Sequence, residues 1–188
     1  REFTADSMAF RVRANLESEW GFQLANARGF VNFDQEKGEF TKNDPAGYLE
    51  FPINQYIGFM DFAEWFIPEK AVEVKKLGGT ALSHMISVHP RQDSLQFMAG
   101  SAKFFLEPSL LENYDVPHMD VADARIFPDS GFVAVDPKAQ MRPLDNAYME
   151  ANRETKHHKF YDGTFNVKAR DRYFGTASYE YMDEDETA

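Results

Sequence analysis

The sequence predicts an all-β fold, either a solenoid-like stack of short strands or a twisted β-sandwich, with at most one short helix near residues 56–66. Three observations predict it. Residues 118–152 read as a ladder of strands a few residues long, each ended by a turn. Apolar and polar residues alternate at Met8, Phe10, Val12, Ala14 and Leu16, a two-residue period that puts one set on one strand face. The phrase Asp123-Ala124-Arg125-Ile126 returns as Asn146-Ala147-Tyr148-Met149, 23 residues on, a spacing that a stacked β-coil would give. An antiparallel sandwich whose strands share a pattern accounts for the same recurrence.

Residues 8–16 form the clearest one-faced strand, because no stripe at i, i+3, i+4, i+7 fits better. Trp20-Gly21 turns the chain, and Phe22 with Leu24, then Phe30-Val31-Asn32-Phe33, supply the next segments. Residues 34–47 are turn-rich: Gly38 can close a hairpin, and Asn43-Asp44-Pro45 is a strong turn signal. Tyr48 to Phe51 is strand-like, and Pro52 ends it. Residues 56–66, YIGFMDFAEWF, are the most aromatic run. There Tyr56, Phe59, Met60 and Ala63 would share a helical face, but Gly58 weighs against a helix, so helix and strand both stay open. Val72 and Val74 begin a strand that stops at Gly78-Gly79.

Further on, Leu82, His84, Ile86 and Val88 share a face, as do Leu95, Phe97 and Ala99, then Ala102, Phe104 and Leu106. Ala122, Ala124 and Ile126 alternate before a turn at Pro128–Gly131, and Phe132 to Val135 is apolar throughout, as a strand covered on both faces is. Ala139–Met141 and Ala147–Ala151 are two more rungs. Past a polar stretch at 152–159, Phe165, Val167 and Ala169 alternate. Tyr173, Gly175, Ala177, Tyr179 and Tyr181 then alternate with Phe174, Thr176, Ser178 and Glu180, placing three tyrosines on one face. A small phrase recurs at three expected strand starts: Gly79-Thr80-Ala81, Gly100-Ser101-Ala102 and Gly175-Thr176-Ala177.

The 188 residues suit one β-rich domain, 1–188, with a boundary candidate near 67–79. Eighteen phenylalanines forecast a Phe-rich core. A net charge of −11 argues against nucleic acid and against an anionic membrane surface as partners. With no cysteine, disulfides, thiolate metal sites and cysteine nucleophiles are excluded. No apolar run approaches the length of a membrane span. The chain begins at Arg1, without a signal peptide, and is read as a piece of a longer or processed protein.

Several groups have metal-ligating or catalytic residue types. His84, His89 and Asp93 lie close in sequence, but on a strand they would not converge without a sharp bend. His157 and His158, adjacent, point to opposite faces. His118 and Asp120 share a face without a nucleophile beside them. Asp183–Glu186 lacks the alternation and central Gly of a calcium loop. No carboxylate pair shows the spacing of a glycosidase, and no phosphate-binding loop or nucleophile elbow is present. No cofactor or metal is expected. The exposed aromatics could stack on sugars, and Tyr173, Tyr179 and Tyr181 are the ligand-binding candidates.

The phrases FVNFD, YLEFPINQYIGFMDFAEWF, SVHPRQDSLQF, VADARIFPDSGFVAVDPKAQMRPLDNAYMEAN and RYFGTASYEYMDED resemble parts of very large cell-envelope proteins of Bacteroidetes-type bacteria, over most of the chain. Residues 118–152 are also similar to the coils of OstA-like and bactofilin-like β-solenoids. Neither resemblance carries catalytic residues to positions here. The first implies an extracytoplasmic setting, in the periplasm or at the cell surface. The expectation is a non-enzymatic structural or interaction module whose partners are other protein segments or envelope components. A carbohydrate-binding β domain is the alternative, and a hydrolase a third reading. A closing strand such as 173–181 could continue a sheet into another chain.

Overall fold

The computed structural model describes residues 1–14, 19–78, 81–152 and 158–181, the last without its side chain. Strands occur in the order β1 (Glu2–Arg13), β2 (Trp20–Asn32), β3 (Lys37–Lys42), β4 (Leu49–Phe51), β5 (Tyr56–Gly58), β6 (Phe62–Phe66), β7 (Ala71–Lys75), β8 (Ser83–Ser87) and β9 (Gln96–Ala99). They continue as β10 (Ser101–Phe105), β11 (Leu110–Tyr114), β12 (Met119–Val121), β13 (Ala124–Phe127), β14 (Val133–Asp136), β15 (Gln140–Met141), β16 (Leu144–Ala151), β17 (His158–Ala169) and β18 (Arg172–Tyr181). Single 3₁₀ turns at Pro90–Gln92 and Asp129–Gly131 are the only helical pieces among the described residues. Residues 56–66, left open between helix and strand, are two strands.

The fold is all-β, built of two antiparallel sheets. The larger has thirteen strands and forks at β2. One side of β2 carries β1 along its length. The other side is shared, residues 27–32 pairing with β3 and Gln23–Leu24 with β4. One limb runs β3-β6-β7-β10-β11-β14-β15 and the other β4-β5-β8-β9. The limbs curl toward each other over the phenylalanine core. Phe22, Phe40, Phe51 and Phe104 are at most 1% exposed, and Phe51 reaches from the short limb to Phe104 on the long one, centroids 6.1 Å apart. Each such ring contributes roughly 1.5–3 kcal/mol by leaving water. Methionines Met60, Met85, Met119, Met141 and Met149 are buried beside them, and the Met85 sulfur occupies the space that a Cβ on Gly58 would enter, at 2.9 Å.

Side-chain amides lace the limbs together. Asn54, fully buried in the β4–β5 turn, donates to the carbonyls of Ser109 and Val135, both at 2.8 Å. Gln92 donates to the Ala139 carbonyl at 2.7 Å and accepts from the Tyr56 hydroxyl at 3.3 Å. Its own carbonyl accepts from Arg170 N–H at 3.0 Å, which ties in the second sheet. Four hairpin turns contain a proline (Pro52, Pro68, Pro108, Pro137) and close on positive φ, at Gln55, Lys70, Ser109 and the pair Lys138 and Ala139.

The second sheet has the order β12-β13-β16-β17-β18. Its inner face (Met119, Val121, Ala124, Ile126, Ala147, Met149, Phe165, Val167) joins the same continuous hydrophobic cluster as the larger sheet, so one core serves both. The expected boundary near 67–79 falls on β7, whose Val72 and Val74 lie in that core. Every strand pair is antiparallel among the described residues, and segment 118–152 splits between the two sheets, so it does not stack as parallel coils. The twice-used phrase marks neighbours instead: β13 and β16 pair through Ile126 and Met149. One strand phase differs from expectation. β8 buries Ser83, Met85 and Ser87 and turns His84 out. Small serines fit there because Ser83 Oγ donates to the Phe59 carbonyl at 3.3 Å and Ser87 Oγ accepts from His89 N–H at 3.2 Å.

Candidate functional site

The outer face of the second sheet carries two ordered rows. Pairing aligns Asp120 with Arg125, Arg125 with Glu150, Glu150 with Lys159, and Lys159 with Glu180. The charges therefore alternate in sign across all five strands. Arg125 grips Asp120 with two hydrogen bonds, of 2.7 and 3.0 Å, which raises the guanidinium pKa. Beside this runs an aromatic row. His118 lies 5.9 Å from Phe127, Phe127 5.3 Å from Tyr148, and Tyr148 5.1 Å from Tyr161, centroid to centroid. The Tyr148 hydroxyl donates to Glu150 at 3.1 Å. Loss of water contact, then that hydrogen bond and the Glu150 charge, push its pKa up to about 12. Cross-strand pairs of both kinds stabilise a sheet by about 0.2–1 kcal/mol each.

β18 ends this sheet: one side pairs with β17 and the other meets no strand among the described residues. Both bulges of this hairpin fall on β17, where Asp162 takes a φ of 51°, and β18 runs without a break. From Tyr173 to Tyr179 it holds neither charge nor proline. Beyond Tyr173 all its residues with described side chains are exposed on both faces. Gly175 lets β18 lie close on β17, since a Cβ there would come within 2.2 Å of the Thr164 carbonyl oxygen.

Of the tyrosines singled out by sequence, Tyr173 is half-buried against the core. Tyr179 is 47% exposed, packs on Phe160 at 5.0 Å and hydrogen-bonds His158 Nδ1 at 2.7 Å. The side chain of Tyr181 lies outside the described residues, as do His157 and Asp183–Glu186.

Two clefts flank the sheet. One, of about 620 Å³ between β8–β9 and β12, brings together His84, His118, Asp93, Asp120, Arg170 and Asp171. Asp120 is held by Arg125, and Asp93 stands 4.0 Å from Arg170. His89 is not there; its Nδ1 accepts from Arg91 N–H at 3.0 Å. Among the described residues, no group of three His, Asp or Glu side chains is arranged to hold a metal. The other cleft gathers the cations Arg91, Lys138, Arg142, Lys168 and Arg172, in a protein of net charge −11. Arg142 is taken by Asp136 through two hydrogen bonds of 2.8 Å, while Arg172 has no ion pair among the described residues.

Sequence reading missed both rows and the basic cleft, because each depends on strand register rather than on spacing along the chain. The parity of Asp120, Arg125, Glu150 and Lys159 within their strands was the available signal. No protein-family model matches the chain, and no curated protein or solved structure matches it significantly.

Proposed function

We propose that this domain is a non-enzymatic interaction module of an extracytoplasmic protein, and that it docks an extended segment of another chain along β18. The observation that carries the reading is the open edge itself: ten residues, unbulged, uncharged through its centre and exposed on both faces past Tyr173. Natural edge strands are blunted by charges, proline or bulges, and an edge left bare is a template for strand addition. The other long edge makes the contrast. β1 carries Asp6 in its middle and shifts register between Ala5 and Met8 and again before Phe10.

Glycan binding has less support. Phe127 and Tyr148 each pack against a ring on either side, which covers the faces a sugar would stack on. Tyr173 and Tyr179 are separated by Gly175 and Ala177 rather than forming one aromatic surface.

The test is an amide-resolved NMR titration with a lysine-ended Thr-Val peptide, a composition that favours strands. Edge docking predicts shifts confined to β17 and β18, abolished when alternate peptide amides are N-methylated. Shifts centred on the cleft between β9 and β12, or none anywhere, would overturn the reading.

A further inference from the structure

β18 is self-complementary. An antiparallel pairing centred on Thr176 places Arg172 opposite Glu180, Tyr173 opposite Tyr179, Phe174 opposite Ser178 and Gly175 opposite Ala177. Each opposed pair lies on one face of the joint sheet. Resting on the edge-docking reading above, we propose that the segment docked on β18 is the β18 of a second copy of this chain, giving a two-fold dimer with one ten-stranded sheet. Such an interface is isologous: every pair off the axis occurs twice, and Thr176 meets its own copy on it.

The rows on the outer face argue for this partner. The alternating charges end at Glu180, a negative rung at the open edge. In the proposed register the next rung is Arg172 of the second copy, exposed and without an ion pair in its own chain among the described residues. The aromatic row reaches Tyr161, which pairs with Ser178. Ser178 ends that row on β18, and in the proposed register it faces Phe174 of the second copy, 56% exposed in the single chain. The charge row thus keeps its alternation across the junction, and the exposed Phe174 gains a cross-strand neighbour there. The small pair Gly175–Ala177 sits beside the axis on the inner face, and exposure of that face past Tyr173 leaves room for a second body.

The test is a charge swap read by sedimentation velocity on the full chain over a dilution series from roughly 100 µM to roughly 0.1 µM, which brackets a micromolar Kd and one tenfold weaker. Wild type should sediment as a dimer. Arg172→Glu and Glu180→Arg, both at exposed positions, should each weaken association about tenfold by opposing like charges at both ends. An equimolar mixture of the two variants should recover a heterodimer, because every opposed pair is then opposite in sign. Circular dichroism confirms that both variants fold. A wild-type monomer, or single variants that dimerise like wild type, would overturn the proposal. If wild type is monomeric while the Thr-Val peptide still shifts β18, only self-pairing falls; if both experiments are negative, edge docking falls with it.

Discussion

Asn54 shows how much one side chain can hold. Its amide reaches Ser109 and Val135, distant in sequence, and closes the curled sheet at its turn end. Asn54→Leu leaves those carbonyls without their side-chain donor and should cost about 2–4 kcal/mol, read as a lower urea midpoint. Asn43→Ala, which removes an exposed bond to the Asp6 carbonyl, should cost no more than about 0.5 kcal/mol in the same assay. Titration of the phenols gives a second prediction. Tyr114 and Tyr148 are pushed up to about 12, first by loss of water contact and then by Glu112 and Glu150 respectively, and burial pushes Tyr56 up as well. A folded pKa above the unfolded value of about 10 favours the neutral phenol in the fold. That stability is complete below pH 10 and is lost as pH rises from there through about 12. Denaturation midpoints across this window should fall, and phenolate absorbance should rise later than in urea.

At the scale of the strand, the alternating patterns in β1, β9, β10 and β17 were legible because an apolar side chain inside and a polar one outside repeat every second residue. β8 was misphased because it reverses that rule, with serines inside and Ile86 and Val88 turned outward. Fork, rows and amide pins were not legible, since register between distant strands is fixed only when the sheets close on their common core. Within the β17–β18 hairpin the Phe165 ring lies over two glycines, where a Cβ on Gly163 or Gly175 would come within 2.3 and 2.7 Å of it. Gly175→Val should therefore pry β18 from β17. Hydrogen exchange should show amides of both strands deprotected about tenfold or more, with β10 unchanged.

For the whole molecule, two sheets around one core give a compact body. Small-angle scattering of the chain, diluted until it sediments as a monomer, should return a radius of gyration of about 16 Å for a chain of this length. A rod-like distance distribution would contradict the shared core of the two sheets. Folding should be slow, with relaxation in milliseconds to seconds by stopped-flow fluorescence, because β2 must collect partners from β1, β3 and β4 and Asn54 must find Val135 before the curl is complete.

The five buried methionines also equip this molecule with an internal chemical reporter. A thioether reacts with peroxide only where solvent reaches it, and the chain has no thiol to compete. In the native state Met60, Met85 and Met119 are sealed, so their oxidation clocks opening of the core rather than surface wear. Oxidation at Met85 would put a polar oxygen into a fully buried site, so the oxidised chain should be less stable than the native one. Mass spectrometry of these sulfoxides along a denaturant series would read stability site by site, with no label added.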